Sequence, residues 1–473
     1  MFKDWNRDQD RLLPPNLREM IPLDDLVYAA IDVMDQLDYS PLINRYDPNG
    51  QHAFHPKMML TLLVYAYAKG IFSSRKIAER LNFDVRFMYL SGYQTPDFRT
   101  ISYFRKDNLD LIMGYFVRVV QLSQAIGQAK LQFIAIDGTK LHASASGKQS
   151  KDKDALDKEL AKVEPRIAEL MAIAEQADSQ DTEESAKTTD ELQDRQLRRE
   201  KLLAAKALLD SDQDRKKVNL TDPECRDQRS VGPGYNAQIA VDGGSQIIVA
   251  VEVVIDRADS ARLIPMIEQS EATTGTKEQP KQVVADSGYE TGEALFNLEK
   301  SPHLDTYVAS QRQDLKKTFP KPPYTKAGFT HDSETDTCVC PQGVQMSVKT
   351  RWEDNGIFYT KFKGTGCSSC PVQDQCTKAK QRTVTFSTAD PAQNRMREKM
   401  KTPEAKEVMR RRAYTVEPVF GHLKTNIGFR WLRLRGLVKA NGEVALLCLA
   451  YNLFKIYKYL AGRTVAKCLT HPA

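Results

Sequence analysis

The sequence lacks a signal peptide and a long run of uncharged apolar residues. Its most apolar segments are interrupted by charged residues or glycine, whereas a membrane-spanning helix needs about 20 predominantly apolar residues. We therefore expect a cytoplasmic protein without a membrane span. The net charge is also low, at +6 over 473 residues, so composition alone does not indicate a nucleic-acid partner. The length exceeds what one core usually supports, and several domains are expected.

Charge is distributed unevenly along the chain. Residues 57–106 hold nine Lys and Arg against three Asp and Glu, and residues 395–439 hold thirteen against four. Residues 151–200 have the opposite balance, with nine bases and fifteen acids. Basic stretches of this kind predict contact with DNA phosphates. For residues 57–106 the alternative is an ordinary helical bundle with solvated basic residues.

Two short apolar stretches each end on an aspartate and a small residue. Residues 133–136 precede Asp137, and residues 281–285 precede Asp286. Such stretches are typical of buried strands, and two strands of one sheet would place both carboxylates at one edge. A buried carboxylate is costly unless it binds something, and Mg²⁺ is typically held by one or two carboxylates. For one aspartate alone, the alternative is a residue that caps a turn.

A third acid, Glu417, lies in a stretch with helical apolar spacing. Lys424 follows seven residues later, so the two side chains are expected on one face of a helix, two turns apart. The motifs Ala-Ile-Asp-Gly-Thr at Asp137, Val-Ala-Asp-Ser-Gly-Tyr at Asp286 and Val-Glu-Pro-Val-Phe-Gly-His-Leu-Lys at Glu417 resemble the three acid motifs of DDE transposases from bacterial insertion sequences. The resemblance covers nearly the whole chain and is closest to the branch named insertion sequence eleven-eighty-two. It implies an RNase H-like core in which Asp137, Asp286 and Glu417 are catalytic and bind Mg²⁺ or Mn²⁺.

The chain departs from related groups just before the glutamate. Those groups carry Tyr and Arg at set distances, where this chain has Arg410 and Ala413. Arg412 and Tyr414 each lie one residue from the second of these places. The two family roles are therefore not carried over to any residue here.

The resemblance implies a transposase that binds double-stranded DNA at the terminal inverted repeats of its insertion sequence. Two metal ions would activate water for attack on a phosphodiester and then the released 3′-hydroxyl for attack on target DNA. Chemistry on paired ends suggests a homodimer. The alternatives are a related RNase H-like nuclease without strand transfer and a domesticated DNA-binding protein without catalysis. Removing the charge of any of the three acids should lower cleavage by orders of magnitude, whereas a conserving change at Glu443 should matter little.

The predicted fold class is α+β, with six segments. Residues 1–125 are expected to form a helical, helix-turn-helix-like DNA-binding domain. The RNase H-like mixed-sheet core is divided between residues 130–147 and 218–315, with elements in the order strand-strand-strand-helix-strand-helix-strand. Tyr235, Asn236 and Gln238, in its hairpin, suit the site and the surface equally. The remaining segments are a helical insertion at 148–217, a cysteine-rich, zinc-ribbon-like insertion at 320–385, and the catalytic Glu helix with closing helices at 390–462.

The helical insertion has apolar residues in alternating steps of four and three, which is coiled-coil spacing. They are Leu156, Leu160, Val163, Ile167 and Leu170. Pro165 lies among them, so the helix either starts there or kinks. A second leucine-containing run predicts a helical hairpin with its tip near residues 178–189. Such an acidic arm should avoid phosphate, and it serves protein contacts or is merely a tolerated insertion.

Five of the eight cysteines are clustered, at Cys338, Cys340, Cys367, Cys370 and Cys376. Paired cysteines flanked by Pro and Gly resemble a zinc ribbon, in which thiolates bind Zn²⁺ tetrahedrally. We expect a structural zinc site with four ligands taken from the five. Disulfides are the alternative in a secreted protein, but the cytosol keeps thiols reduced. The first pair has Cys-x-Cys spacing, which departs from the usual Cys-x-x-Cys.

The segment after the glutamate motif interleaves arginine with apolar residues, which suits a strand or loop that grips phosphates. The residues expected to contact DNA are Lys424, Arg430, Trp431, Arg433 and Arg435. Trp431 could stack on a displaced base, although an aromatic residue in an apolar run is more often part of the core. Residues 444–460 predict a buried helix that closes the fold.

Overall fold

The structure is a computed structural model that describes residues 16–47, 53–177, 183–279, 281–310, 320, 323–461, 463–465 and 467. It is a mixed α+β protein, as the sequence predicts. Its described residues form three hydrophobic clusters. The largest extends from Ile21 to Val465, whereas the two smaller ones lie in the helical insertion and in the cysteine-rich segment. The N-terminal helices thus share one core with the main sheet.

The N-terminal part is helical. Its helices are α1 (Leu26–Met34), α2 (Ser40–Ile43), α3 (Pro56–Ala68), α4 (Ser74–Arg80), α5 (Val85–Ser91), α6 (Phe98–Asp107) and α7 (Leu109–Ala125). Pro56 opens α3, and the carboxylate of Asp97 accepts two backbone N–H groups at the start of α6. Gly70 has a left-handed backbone, and a Cβ there would lie 2.8 Å from the carbonyl oxygen of Ile427. This close approach packs the N-terminal helices against the C-terminal segment.

The first strand of the main sheet is β1 (Phe133–His142), after which the chain leaves the sheet for the insertion. There β2 (Ser150–Lys151) pairs with β3 (Val218–Asn219) at the base of a hairpin made of α8 (Lys153–Ala177) and α9 (Glu183–Ser211). The facing apolar residues include Leu156, Leu160, Val163, Leu202 and Ala205. The helix α8 continues through Pro165 and does not start there. Residues 183–189, which were predicted to belong to the hairpin tip, are helical, and residues 178–182 lie outside the described part.

The rest of the main sheet follows the insertion. Its elements are β4 (Arg226–Gln228), β5 (Gly232–Asp242), β6 (Ile248–Val254), α10 (Leu263–Thr274), β7 (Lys281–Ala285), α11 (Gly292–Leu298) and β8 (Leu304–Val308). The strand order is β4-β5-β1-β7-β8, and β6 also pairs with β5. The strand β5 is antiparallel to β1, β4 and β6, whereas β1, β7 and β8 are parallel. The acids at β1 and β7 therefore lie in the middle of the sheet.

The cysteine-rich segment forms a second, antiparallel sheet. Its strands are β9 (Thr330–Asp332), β10 (Thr337–Val339), β11 (Gln345–Asp354), β12 (Ile357–Lys363) and β13 (Thr383–Ser387), in the order β13-β12-β11-β10-β9. The short helix α12 (Gln373–Cys376) precedes β13. The hydrophobic cluster of this sheet consists of Phe329, Cys338, Met346, Phe362, Val384 and Phe386. Its core is small and separate from that of the main sheet.

The C-terminal part contains α13 (Asp390–Lys399), α14 (Pro403–Gly421), a π-helical turn (His422–Asn426) and α15 (Leu437–Leu460). The helix α14 lies against the main sheet and carries Glu417. By length and composition alone α15 could cross a membrane, but 72% of its most apolar window is buried inside the protein. It packs between the N-terminal helices and β6, so it is the central core helix.

Glu443, on α15, is fully buried. Its carboxylate accepts the backbone N–H groups of Arg433 (2.8 Å) and Leu434 (3.0 Å) and the hydroxyl of Tyr67 (3.2 Å). Glu443 therefore joins the N-terminal helices to the basic C-terminal segment, and the small effect on cleavage expected for a conserving change there stays a prediction.

Candidate active site

Asp137 and Asp286 lie side by side on neighbouring strands. The strands β1 and β7 are parallel, with Ala135 paired to Val284, and each aspartate follows two residues later. Neighbouring strands are about 4.8 Å apart. The register therefore brings the two carboxylates to one point of the sheet, which is the placement that the two motifs predict.

Each of these carboxylates has one oxygen held by the backbone and the other turned towards Arg412. The Oδ1 atoms of Asp137 and Asp286 accept the N–H groups of Gly138 and Gly288, both at 2.8 Å. Nη2 of Arg412, on α14, lies 3.0 Å from Oδ2 of Asp137 and 3.8 Å from Oδ2 of Asp286. A guanidinium cation therefore stands between the two acids.

Asp137 is the more enclosed of the two acids, since its side chain is 20% exposed and that of Asp286 is 44% exposed. Burial raises the pKa of Asp137 to about 6. The cation of Arg412 opposes this rise, whereas the negative charges of Asp286 and Asp259 add to it. The site thus holds a carboxyl group that titrates close to neutral pH. Any added cation would stabilise its ionised form.

A further carboxylate, Asp259, lies at the same site, in the loop before α10. Its Oδ1 accepts hydrogen bonds from the side chains of Asn236 (2.7 Å), Gln238 (2.7 Å) and Lys140 (3.2 Å). The hydroxyl of the fully buried Tyr289 donates to Oε1 of Gln238. This network ties β5 to the start of α10 and fixes the ammonium group of Lys140 beside the acids.

The glycine in each aspartate motif is required by close packing. A Cβ at Gly138 would overlap the side-chain nitrogen of Gln238 and lie 2.9 Å from Oδ1 of Asp259. A Cβ at Gly288 would lie 3.0 Å from Oδ1 of Asp286. Glycine thus lets the backbone approach the polar side chains of the site.

The side chain of Glu417 does not point to the site formed by the two aspartates. It is exposed on α14, and among the residues that the structure describes it has no hydrogen-bond or ion-pair partner. The face of α14 that packs on the sheet includes Arg412, Val416 and Val419. Glu417 is five positions after Arg412 on the helix, so the two side chains point about 140° apart around the helix axis. The role of Glu417 as third ligand stays a prediction.

The donor set suits a hard divalent cation, because the free oxygens of Asp137 and Asp286 already face one cation, the guanidinium of Arg412. Within the described ranges, no group of three or more His, Cys, Asp or Glu side chains is close enough to hold a metal ion. Two carboxylates are therefore the ligands that the fold brings together here.

The basic segment after α14 runs along the end of β1. Residues 430–432 form backbone hydrogen bonds with both the N–H and the carbonyl group of His142. Lys424, in the π-helical turn, donates its Nζ to the carbonyl oxygen of Lys140 at 3.2 Å. The segment is thereby fixed beside the strand that carries Asp137.

Trp431 is a surface residue of this segment. It is 49% exposed, and its ring stacks on that of His142 with the centroids 3.9 Å apart. It is therefore not a core residue, and its outer face is open to a base. Arg430, Arg433 and Arg435 are exposed around it. The arginines predicted for this segment are thus exposed beside the end of the strand that carries Asp137.

A second basic surface lies on α4 and α6. The guanidinium groups of Arg75 and Arg99 lie 4.9 and 5.7 Å from the ring centroid of Phe98. Tyr103, on the same helix as Phe98, is 57% exposed. Exposed aromatic rings among cations suit contact with nucleic acid.

Arg412 and Asp259 are site residues that the motifs do not indicate. The signal for Arg412 is that it lies four residues before Val416 and seven before Val419, so its side chain is on the apolar face of α14. A buried guanidinium there needs an acidic or hydrogen-bonding partner. Asp259 lies five residues after the buried strand β6, and no local signal in the sequence separates it from Asp256.

Two family models match the chain. The model described as Transposase DDE domain matches residues 339–457, which include α14 and the basic segment, and the model described as Transposase domain (DUF772) matches residues 15–107, which include α1 to α6. No curated protein matches the chain. DDE transposase domains generally use divalent metal ions, in agreement with the paired aspartates. The two matches together support a transposase of the DDE type.

Proposed function

We propose that the protein is a DNA transposase that binds the terminal inverted repeats of an insertion sequence, cleaves the DNA and joins its 3′ ends to target DNA. The observation that carries this proposal is the pair of aspartates on parallel strands, with a cation between their free oxygens. The match to a transposase DDE domain adds the reaction class. The three acid motifs favour the insertion sequence eleven-eighty-two branch within it.

The order of the strands supports an RNase H-like core. Counted along the chain, the three long antiparallel strands β1, β5 and β6 come first, and β7 and β8 then add in parallel beside β1. The acids lie on the first of these five strands and directly after the fourth. This arrangement agrees with the core that the acid motifs imply.

Asp137 and Asp286 would hold Mg²⁺ or Mn²⁺, which when bound neutralises charge on the phosphate and activates the attacking oxygen. Arg412 keeps the two carboxylates from repelling each other in the protein without metal. Its Nε is buried and lacks a hydrogen-bond partner in the part of the chain described, so one donor of the guanidinium is unused at the site. Lys140, held by Asp259, adds positive charge at the same place.

Glu417 is proposed as the third ligand on the strength of its motif. It lies on the helix that carries Arg412 into the site, about 7.5 Å further along the helix axis. Its side chain forms no hydrogen bond or ion pair with another described residue. For the Glu417 carboxylate to reach the metal, α14 must change position. Replacement of the Arg412 guanidinium by a metal ion between the two aspartates would permit that change.

The DNA is proposed to contact both basic surfaces, and the residues beside the strand that carries Asp137 are Lys424, Arg430, Trp431, Arg433 and Arg435. Such contacts bind phosphate and carry no sequence information by themselves. A homodimer is proposed because two transposon ends must be processed together.

The test uses the DNA that flanks the gene, in which terminal inverted repeats should be present. The full-length protein with such end fragments in Mg²⁺ should produce cleaved ends and products joined to a target plasmid. Asp137→Asn, Asp286→Asn and Glu417→Gln should each lower cleavage by orders of magnitude, because the charge that holds the ions is lost. Binding of the end fragments should persist in all three.

Glu407→Gln is the matched control, since Glu407 is an exposed glutamate on the same helix that pairs with Arg410. It should leave cleavage unchanged. A Glu417→Gln variant that cuts and joins at the parental rate would remove Glu417 from the site. Cleavage without joined products would favour the nuclease, and binding without cleavage would favour a DNA-binding protein.

A further inference from the structure

Four of the five clustered cysteines line one small cavity beside the second sheet. The four are Cys340, Cys367, Cys370 and Cys376, and the cavity measures about 40 Å³. A water molecule needs roughly 10–15 Å³ by this measure, so the cavity admits an ion but no organic ligand. Cys338 is not part of its lining. That residue is fully buried, and its Sγ lies 3.6 Å from Sδ of Met346.

Tight turns present the thiols to the cavity. The N–H of Gly343 donates to the carbonyl of Cys340, and the N–H of Cys370 donates to the carbonyl of Cys367. A Cβ at Gly364 would lie 2.5 Å from Sγ of Cys367, so this position leaves room for the thiol only as glycine. The sequence is thus adapted locally to the placement of Cys367.

A cation is already present at the cavity. Arg382 is one of its lining residues, and its Nε is buried without a hydrogen-bond partner in the described part of the chain. Its guanidinium group lies 5.6 Å from the ring centroid of Phe329. Four thiolates around a divalent ion carry a net charge of about −2, which this buried donor would offset.

The second sheet also needs stabilisation beyond its own core. A hydrophobic cluster of six buried residues supports five strands, and β11 is exposed along most of its length. Small units with so little apolar burial usually depend on a metal or on disulfides. No disulfide joins the described cysteines.

We propose that Cys340, Cys367, Cys370 and Cys376 bind one structural Zn²⁺ and that Cys338 is a core residue. This differs from a zinc ribbon, because the turn that follows β10 supplies one ligand and the segment 367–376 supplies three. The thiols do not yet lie at ligand distance from one another. Bonds of about 2.3 Å to zinc therefore require the turns at 340–343 and 364–370 to close on the ion, and the glycines in both turns permit this movement.

The experiment measures zinc by mass spectrometry in the purified full-length protein and in single variants. The parent should contain about one Zn²⁺ per chain. Cys340→Ser, Cys367→Ser, Cys370→Ser and Cys376→Ser should each retain little or none. Cys338→Ala, the matched control from the same strand and turn, should retain the parental content.

A second measurement, made on the parent protein, tests the proposal even where a variant folds poorly. Titrating the metal-free parent with Co²⁺ should produce the visible absorption of tetrahedral thiolate coordination, and differential alkylation should show four thiols that react only after a chelator is added. A parent without zinc and without this absorption would overturn the proposal. Loss of zinc in Cys338→Ala with retention in Cys340→Ser would overturn the ligand assignment. Neither measurement needs DNA, so the outcome is independent of the proposed transposase activity.

Discussion

Replacing Glu443 by Ala should destabilise the protein by about 3–5 kcal/mol. The side chain is fully buried, and its loss leaves the N–H groups of Arg433 and Leu434 without acceptors. Each such group costs about 1–3 kcal/mol. The hydroxyl of Tyr67, which accepts a hydrogen bond from the buried Arg105, loses its own acceptor at the same time.

Glu443→Gln separates the effect of hydrogen bonding from that of charge. Glutamine keeps the volume and one oxygen that can accept both backbone N–H groups, so the cost should fall to about 1–2 kcal/mol. The free energy of unfolding in urea, followed by circular dichroism, measures both variants. The fluorescence of Trp431, two residues before Arg433, should report loosening of the basic segment.

Glu407→Ala is the control, because its surface ion pair with Arg410 should be worth less than about 1 kcal/mol. The reasoning would be refuted by a Glu443→Ala protein within about 1 kcal/mol of the parent. Equal losses for Glu443→Gln and Glu443→Ala would show that charge, rather than the two backbone hydrogen bonds, sets the cost.

Two further predictions concern pH and the helical insertion. Because the pKa of Asp137 is raised from 3.8 to about 6, the affinity for Mn²⁺ measured by calorimetry should increase as pH rises through about 6, and Arg412→Gln should move that midpoint upward. In the metal-free protein, the same shift makes the contribution of Asp137 to stability complete below pH 3.8 and lost as pH rises through about 6; urea unfolding should show this loss in the parent and not in Asp137→Asn. Deleting residues 151–210 should leave the affinity for DNA ends nearly unchanged in a fluorescence anisotropy titration, since this acidic hairpin has its own core. Arg433→Ala is the comparison and should weaken binding and lower the salt slope by about one; a folded deletion variant that loses more affinity than Arg433→Ala would contradict the prediction.

The sequence by itself determined the features that depend on neighbouring residues. Helix starts at Pro56 and Asp97 follow from capping, and the coiled-coil spacing predicted the helical hairpin. The two strand-end aspartates were predictable because an apolar run and a following glycine are local signals. Their meeting also followed from the sequence, since parallel strands of one sheet bring equivalent positions together.

The partners of charged and polar side chains were decided by the tertiary structure. Arg412 faces Asp137, and Asp259 faces Lys140, across more than a hundred residues of sequence. Periodicity states which face of an element is buried, but it does not state which other element covers that face. For the same reason the sequence did not indicate that Glu443 is buried at the junction of two segments.

The choice among the cysteines was also made by tertiary packing. Spacing along the chain could not separate Cys338 from Cys340, because residues two apart in a strand point to the same side. Only the fold shows that Met346 covers one thiol while the other reaches the cavity shared with Cys367. Local sequence sets the direction of a side chain, whereas its depth in the core depends on residues brought from elsewhere in the chain.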